Sequence, residues 1–205
     1  MAIPKQLAFG RTGWHGDQSV SLRSSLGAML TLVNDIRTQH NALCDKLDAD
    51  ATVPGAYAGF KTGMAAATTS LSSDQLAHVA LGGSYSHGDD AVKIKLHIEG
   101  ITALAEDIKV KHDLLVAALD AAALSLNNYE ADCKMTGIVS SPSVAHFAQG
   151  GSSAHGDAGV QIRRVLEGMN ELKAVHNAVL VKLNADTVPT DNDYATAVDV
   201  TADSL

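Results

Sequence analysis

Aromatic side chains are scarce, with one Trp, four Tyr and three Phe in 205 residues. Ala, Leu and Val supply most of the 46% hydrophobic content, which suits close-packed helices better than a sandwich or barrel built on large side chains. Only two cysteines are present, Cys44 and Cys133, and they are neither paired in a repeating framework nor arranged as a CxxC knuckle, so both are expected to be reduced thiols. There is no Lys/Arg run, and the net charge of -8 argues against nucleic acid as a partner. No apolar stretch approaches the ~20 residues a membrane helix needs, and the opening MAIPKQLAFG lacks the layout of a signal peptide, so a membrane is not expected as a partner either. GxSxG, Walker, GxGxxG and HExxH motifs are all missing, and no two histidines stand at i, i+4 on a helix. Together these absences point away from an enzyme.

What the chain does have is internal repetition. His-Gly-Asp occurs at His15-Gly16-Asp17, His87-Gly88-Asp89 and His155-Gly156-Asp157. Upstream of the second and third copies the match extends through His78 and His146 and through the Gly/Ser-rich joints at 82–86 and 150–154. Downstream, each copy carries a second histidine followed by an amide or acid (His40-Asn41, His112-Asp113, His176-Asn177), with an acid five positions earlier at Asp35, Asp107 and Glu171. A Leu-Asp/Asn pair follows at Leu47-Asp48, Leu119-Asp120 and Leu183-Asn184, and then a tyrosine at Tyr57, Tyr129 and Tyr194. His97 alone among the histidines has no counterpart. The chain divides accordingly into an N-terminal arm (1–14) and three helical repeats at 15–74, 75–142 and 143–205.

Each copy holds a heptad seam. Leu22, Leu26, Met29, Val33, Ile36, His40, Leu43 and Leu47 are spaced by alternating fours and threes, and Ile94, Ile98, Ile101, Ala105, Ile108, His112, Leu115 and Leu119 repeat the spacing. The third copy reads Ile162, Leu166, Met169, Leu172, His176, Val179 and Leu183, which predicts a helix one turn shorter, overwound near Met169 to Leu172. Asp17, Asp89 and Asp157 are expected as N-caps, and the helices are expected to end near Asp50, Ala123 and Asp186. A short helix containing each tyrosine should follow, and the chain should end on a flexible tail. A single apolar stripe cannot be stable alone, so the expected fold is all-α: three tandem repeats, each a long helix plus a short one, packed as a pseudo-threefold bundle. Parallel and antiparallel packing both remain open.

His40, His112 and His176 occupy seam positions where an apolar residue is expected. The leading reading is a polar layer that fixes register, each imidazole bonded to an acidic neighbour such as Asp35, Asp107 or Glu171. The alternative is a site for a metal or an anion. His15, His87 and His155 are read as loop histidines bracing the first turn, and Tyr57, Tyr129 and Tyr194 as packing anchors with the hydroxyl at the rim. Trp14 would anchor the N-terminal arm or cover the end of the bundle. A catalytic His112/Asp107 pair is the poorest reading, because triplication offers three similar sites where catalysis needs one asymmetric one. No catalytic residue, metal or cofactor is assigned.

The segments Lys46-Leu47-Asp48-Ala49-Asp50-Ala51-Thr52-Val53-Pro54 and Lys182-Leu183-Asn184-Ala185-Asp186-Thr187-Val188-Pro189-Thr190-Asp191-Asn192-Asp193-Tyr194-Ala195 resemble a KLDADxxVxDxDYA pattern found in helical structural proteins of tailed bacteriophages. The second copy departs from it at Ala118-Leu119-Asp120-Ala121-Ala122-Ala123. The resemblance implies a virion component (capsid decoration, head fibre, neck or tail protein) assembled in the bacterial cytoplasm. Its implied partners are other virion proteins or copies of itself, as a homo-oligomer or pseudo-trimer.

Overall fold

A computed structural model describes residues 15–67, 87–122, 124–135 and 154–202. Among the described residues the structure is all helical, with no strand and no helix long and apolar enough to cross a membrane. Three long helices, α1 (His15–Ala49), α2 (His87–Ala121) and α4 (Ala154–Ala185), carry the seams. The short helices α3 (Tyr129–Cys133) and α5 (Tyr194–Ala197) begin at the repeated tyrosines, whereas Tyr57 only precedes a single 3-10 turn, Ala58–Phe60.

The long helices run parallel. Each touches both of the others, and their N-terminal halves share one core: Leu26, Met29, Val33 and Ile36 with Ile98, Ile101, Ala105 and Ile108, and with Val165, Met169 and Leu172. Their C-terminal halves share a second core, in which Leu43 and Leu47 meet Leu115 and Leu119 and then Val179 and Leu183. Antiparallel packing would have mixed the two sets. Burying a seam Leu or Ile stabilises the bundle by roughly 1.5–3 kcal/mol, and no long helix can hide its stripe without the other two.

Two expectations about the helices are corrected. Backbone helix already includes His15, His87 and Ala154, so Asp17, Asp89 and Asp157 lie inside the first turn instead of capping it. The side chains of those aspartates and of His15, His87 and His155 lie outside the described residues, as do Trp14, the arm 1–14, His78, His146 and the joints at 82–86 and 150–153. The third seam also needs no overwinding. Val165 is fully buried, so that counting back from His176 the seam reads Leu172, Met169 and Val165 in unbroken fours and threes. The missing turn shortens the N-terminal end of α4, which has 32 residues against 35 in α1 and α2.

After each short helix or 3-10 turn the chain runs back along its own long helix as a strap. The residue following each layer histidine pins it: Asn41 Oδ1 accepts from Thr62 N (2.9 Å), Asp113 Oδ1 from Met135 N (3.1 Å) and Asn177 Oδ1 from Val200 N (3.3 Å). The first strap continues down α1, where Ala67 N donates to Asn34 Oδ1 and Arg37 Nε to the Met64 carbonyl. It also leans on the neighbouring helix, since the Thr62 hydroxyl donates to Asp107, just as Ala202 N donates to Asp35 Oδ2 at 2.9 Å. The stretch after Tyr194 is therefore no loose tail through Ala202. Val198 and Val200 are buried, because strap residues fill the grooves between helices.

Candidate functional site: a histidine layer and its carboxylate clasps

His40, His112 and His176 occupy the same seam position and are fully buried between the two cores. Their ring centroids are 6.1, 6.4 and 6.4 Å apart, so the three imidazoles form one nearly equilateral layer. Each Nε2 lies against a strap carbonyl: Phe60 O at 2.9 Å, Cys133 O at 2.9 Å and Val198 O at 3.0 Å. A carbonyl only accepts, so Nε2 carries the proton in every case and Nδ1 keeps its lone pair. All three Nδ1 atoms are buried and find no hydrogen-bond partner among the described residues. Burial pushes His40 down to about 4, with the Phe60 carbonyl opposing, and His176 down to about 3, with the Val198 carbonyl opposing; His112 is lowered for the same reason. The layer is neutral at ordinary pH.

The expected acidic partners are thus replaced. Asp35 and Asp107, both half-buried, accept from straps of other copies, and backbone carbonyls of the returning straps take the imidazole N–H. The repeated sequence places the histidines together, but the carbonyls have no side-chain signature to be read.

The tyrosine expectation is also revised. Tyr57, Tyr129 and Tyr194 are fully buried, and their hydroxyls point inward. Tyr129 Oη donates to Asp186 Oδ2 (3.0 Å) and Tyr194 Oη to Asp50 Oδ2 (3.3 Å), each across to a carboxylate at the end of another copy's long helix. Tyr57 Oη instead donates to Pro54 O of its own loop (2.9 Å).

Asp50 and Asp186 are the clasps that sequence reasoning took only for helix ends. Asp50 receives Thr190 N and Oγ1 at 3.0 and 2.9 Å and Asp191 N at 3.2 Å, along with its own Thr52. Asp186 receives Ser125 N and Oγ at 3.1 and 2.5 Å and Leu126 N at 2.8 Å, along with Val188 N. Burial raises both carboxyls, but the converging donors outweigh it and hold Asp50 well below the usual carboxylate range and Asp186 at about 2. A lysine four residues earlier reinforces each clasp. Lys46 pairs with Asp191 and Asp193, both at 2.7 Å, and lies over the Tyr194 ring; Lys182 pairs with Asp132 at 2.6 Å and lies over Tyr129.

Copy 1 therefore clasps copy 3, and copy 3 clasps copy 2. Copy 2 has no clasp to close the circle, because Ala118 and Ala122 stand where Lys and Asp stand in the others. The receiving loop matches this loss. Thr190 and Asp191, or Ser125 and Leu126, correspond to Val53 and Pro54 in copy 1, which offer no hydroxyl and, at Pro54, no N–H. Val53 and Ala122 are both buried in the C-terminal core, so the third joint is apolar where the other two are polar.

His97, the histidine without a counterpart, is 7% exposed and lowered by burial. Both cysteines are free and buried, with the Cys44 thiol pushed up to about 12 by burial and the Cys133 thiol raised, which makes them inert packing groups. No protein-family profile, curated protein or solved structure matches this chain.

Proposed function

We propose that this chain is a non-enzymatic structural and assembly protein in which three tandem copies of one helical unit pack as a pseudo-threefold bundle, so that a single chain does the work of a trimer. The observation that carries this reading is the histidine layer: three equivalent side chains, three nearly equal separations and three equivalent strap carbonyls. A buried polar layer of this kind costs stability and specifies register and strand number. At the C-terminal ends of the long helices Asp50, Asp186, Lys46 and Lys182 are engaged in clasps that hold copies together.

In this reading the resemblance of the Lys46–Pro54 and Lys182–Ala195 segments to phage structural proteins gives the setting: a tailed-bacteriophage particle, as a capsid-decorating, head-fibre, neck or tail component assembled in the host cytoplasm. Its partners are other virion proteins or further copies of the chain. Divergence between copies, such as the apolar third joint, gives a threefold scaffold three different faces. The alternative of an anion site lacks support, because the three rings are neutral and their buried Nδ1 atoms offer lone pairs and no N–H.

The test is to probe gradient-purified phage particles with an antibody raised against the chain. Co-migration with intact particles at a fixed copy number supports the proposal. Confinement of the chain to the unassembled fraction overturns the virion assignment.

A further inference from the structure

The Nδ1 atoms of His40, His112 and His176 form a set of acceptors without a donor among the described residues. One ring nitrogen from each residue lies within 4.8 Å of the other two, and each ring is held by an Nε2–H bond to a backbone carbonyl. That carbonyl contact is the outer-shell partner that fixes the tautomer and orientation of metal-binding histidines. A central water could donate only two protons to three lone pairs, whereas a cation satisfies all three at once.

We propose that the histidine layer is a metal site for a borderline divalent transition-metal ion of the zinc or cobalt class, held on the bundle axis by Nδ1 of His40, His112 and His176. The corners of a triangle with 4.8 Å edges sit about 2.8 Å from its centre, and zinc–imidazole bonds are about 2.0–2.1 Å. The rings therefore close on the ion by less than 1 Å each, a shift that side-chain rotation supplies without moving the helices. An all-imidazole set selects zinc, cobalt or nickel over magnesium or calcium, which want oxygen ligands. Asp107 favours positive charge at His40 and Asp113 at His112, each opposed by a lysine, Lys111 and Lys109, the second paired with Asp113 at 2.9 Å. The bound ion would lock the three copies in register at the midpoint between the two cores. This site stands whether or not the chain belongs to a phage particle.

Because the layer is fully buried, the full-length chain should be unfolded in denaturant with chelator, freed of both, and refolded with cobalt(II). The expected result is one tightly held cobalt per chain, visible d–d absorption of a low-coordinate site, displacement of cobalt by zinc, and a higher melting temperature with metal than without. His112→Asn keeps a polar layer and a folded chain by circular dichroism, and should weaken cobalt binding by more than the roughly 10- to 100-fold that loss of a supporting partner costs. The triple variant H40N/H112N/H176N should lose the absorption entirely. Refolded wild-type protein with no bound cobalt overturns the proposal, and so does cobalt binding that survives in the triple variant, which would place the metal on histidines elsewhere in the chain.

Discussion

At His40, His112 and His176 one side chain closes the strap onto its helix and also interrupts an apolar seam, and the second role carries a pH dependence. The unfolded chain takes up protons at these rings below the ordinary histidine value of 6.5, while burial holds the native rings neutral down to about 4 at His40 and about 3 at His176. The unfolded state thus binds more protons throughout that window, and native stability falls as pH drops from 6.5 toward 4. With His40 and His176 alone the slope approaches about 3 kcal/mol per pH unit near pH 5, a large fraction of a typical domain's stability, and His112 adds in the same direction. Acid unfolding followed by circular dichroism should therefore begin well above the carboxylate range, with net proton uptake at the layer histidines. H40L/H112L/H176L should flatten this dependence, and an unchanged acid midpoint in that variant would remove the layer from the account. Asp50 and Asp186 have the usual carboxylate sign: their depressed values add stability that is lost only at lower pH, as Asp186 titrates toward about 2. Asp50→Ala or Asp186→Ala should each cost about 3 kcal/mol in urea melts, because several buried donors lose their acceptor together. Ala122→Asp should also destabilise, by at least about 2 kcal/mol, despite restoring the residue that copies 1 and 3 carry. Val53 has no hydroxyl and its N–H already donates to the Asp50 carbonyl at 3.1 Å, while Pro54 has no N–H, and a stabilising outcome would refute the apolar third joint.

At the scale of the element, each unit is a long helix, a tight loop and a returning strap, and the loops set where the strap lands. Asp48 Oδ1 accepts from Tyr57 N and Asp120 Oδ1 from Tyr129 N, each nine residues on. The third loop is one residue longer, and Asn184 Oδ1 is left buried without a partner among the described residues. In the first loop Gly55 sits at φ 141°, and a Cβ there would come within 3.0 Å of the Tyr57 ring. Gly55→Ala should therefore cost about 1–3 kcal/mol, from positive-φ strain and displacement of a buried tyrosine. Thermal melts will also locate the third seam. Val165→Ala should cost about 2 kcal/mol if Val165 is a seam residue, and next to nothing if the helix were overwound with Leu166 in its place. The existence of the long helices and the seam positions of Leu26 to Leu47 and Ile98 to Leu119 were legible from spacing alone. The third seam is ambiguous in the sequence because Val165 and Leu166 are adjacent apolar residues; both enter the shared core, and only the folded structure shows Val165 fully buried and Leu166 slightly less so. The straps were illegible for a different reason. They have no periodicity, and their main bonds run from backbone groups to Asn41, Asp113 and Asn177, so the repeated polar residue after each histidine was visible while its purpose was not.

Over the whole molecule, three parallel helices of one chain bury one another's seams. Parallel order was undecidable from the sequence because joints of this length permit either direction, and it is read instead from the division of the seams into two cores on either side of the histidines. The most direct test is distance measurement between spin labels at Thr38, Val110 and Ala174, which lie two residues before the layer histidines and are exposed on the three helices. Buried Cys44 and Cys133 would be replaced by alanine, and each pair of labels measured in turn with excess unlabelled chain to suppress contacts between molecules. The account predicts three short and nearly equal distances that do not change on dilution with unlabelled protein. One distance much longer than the other two, or signals that vanish on dilution, would mean that the helices do not run parallel within one chain.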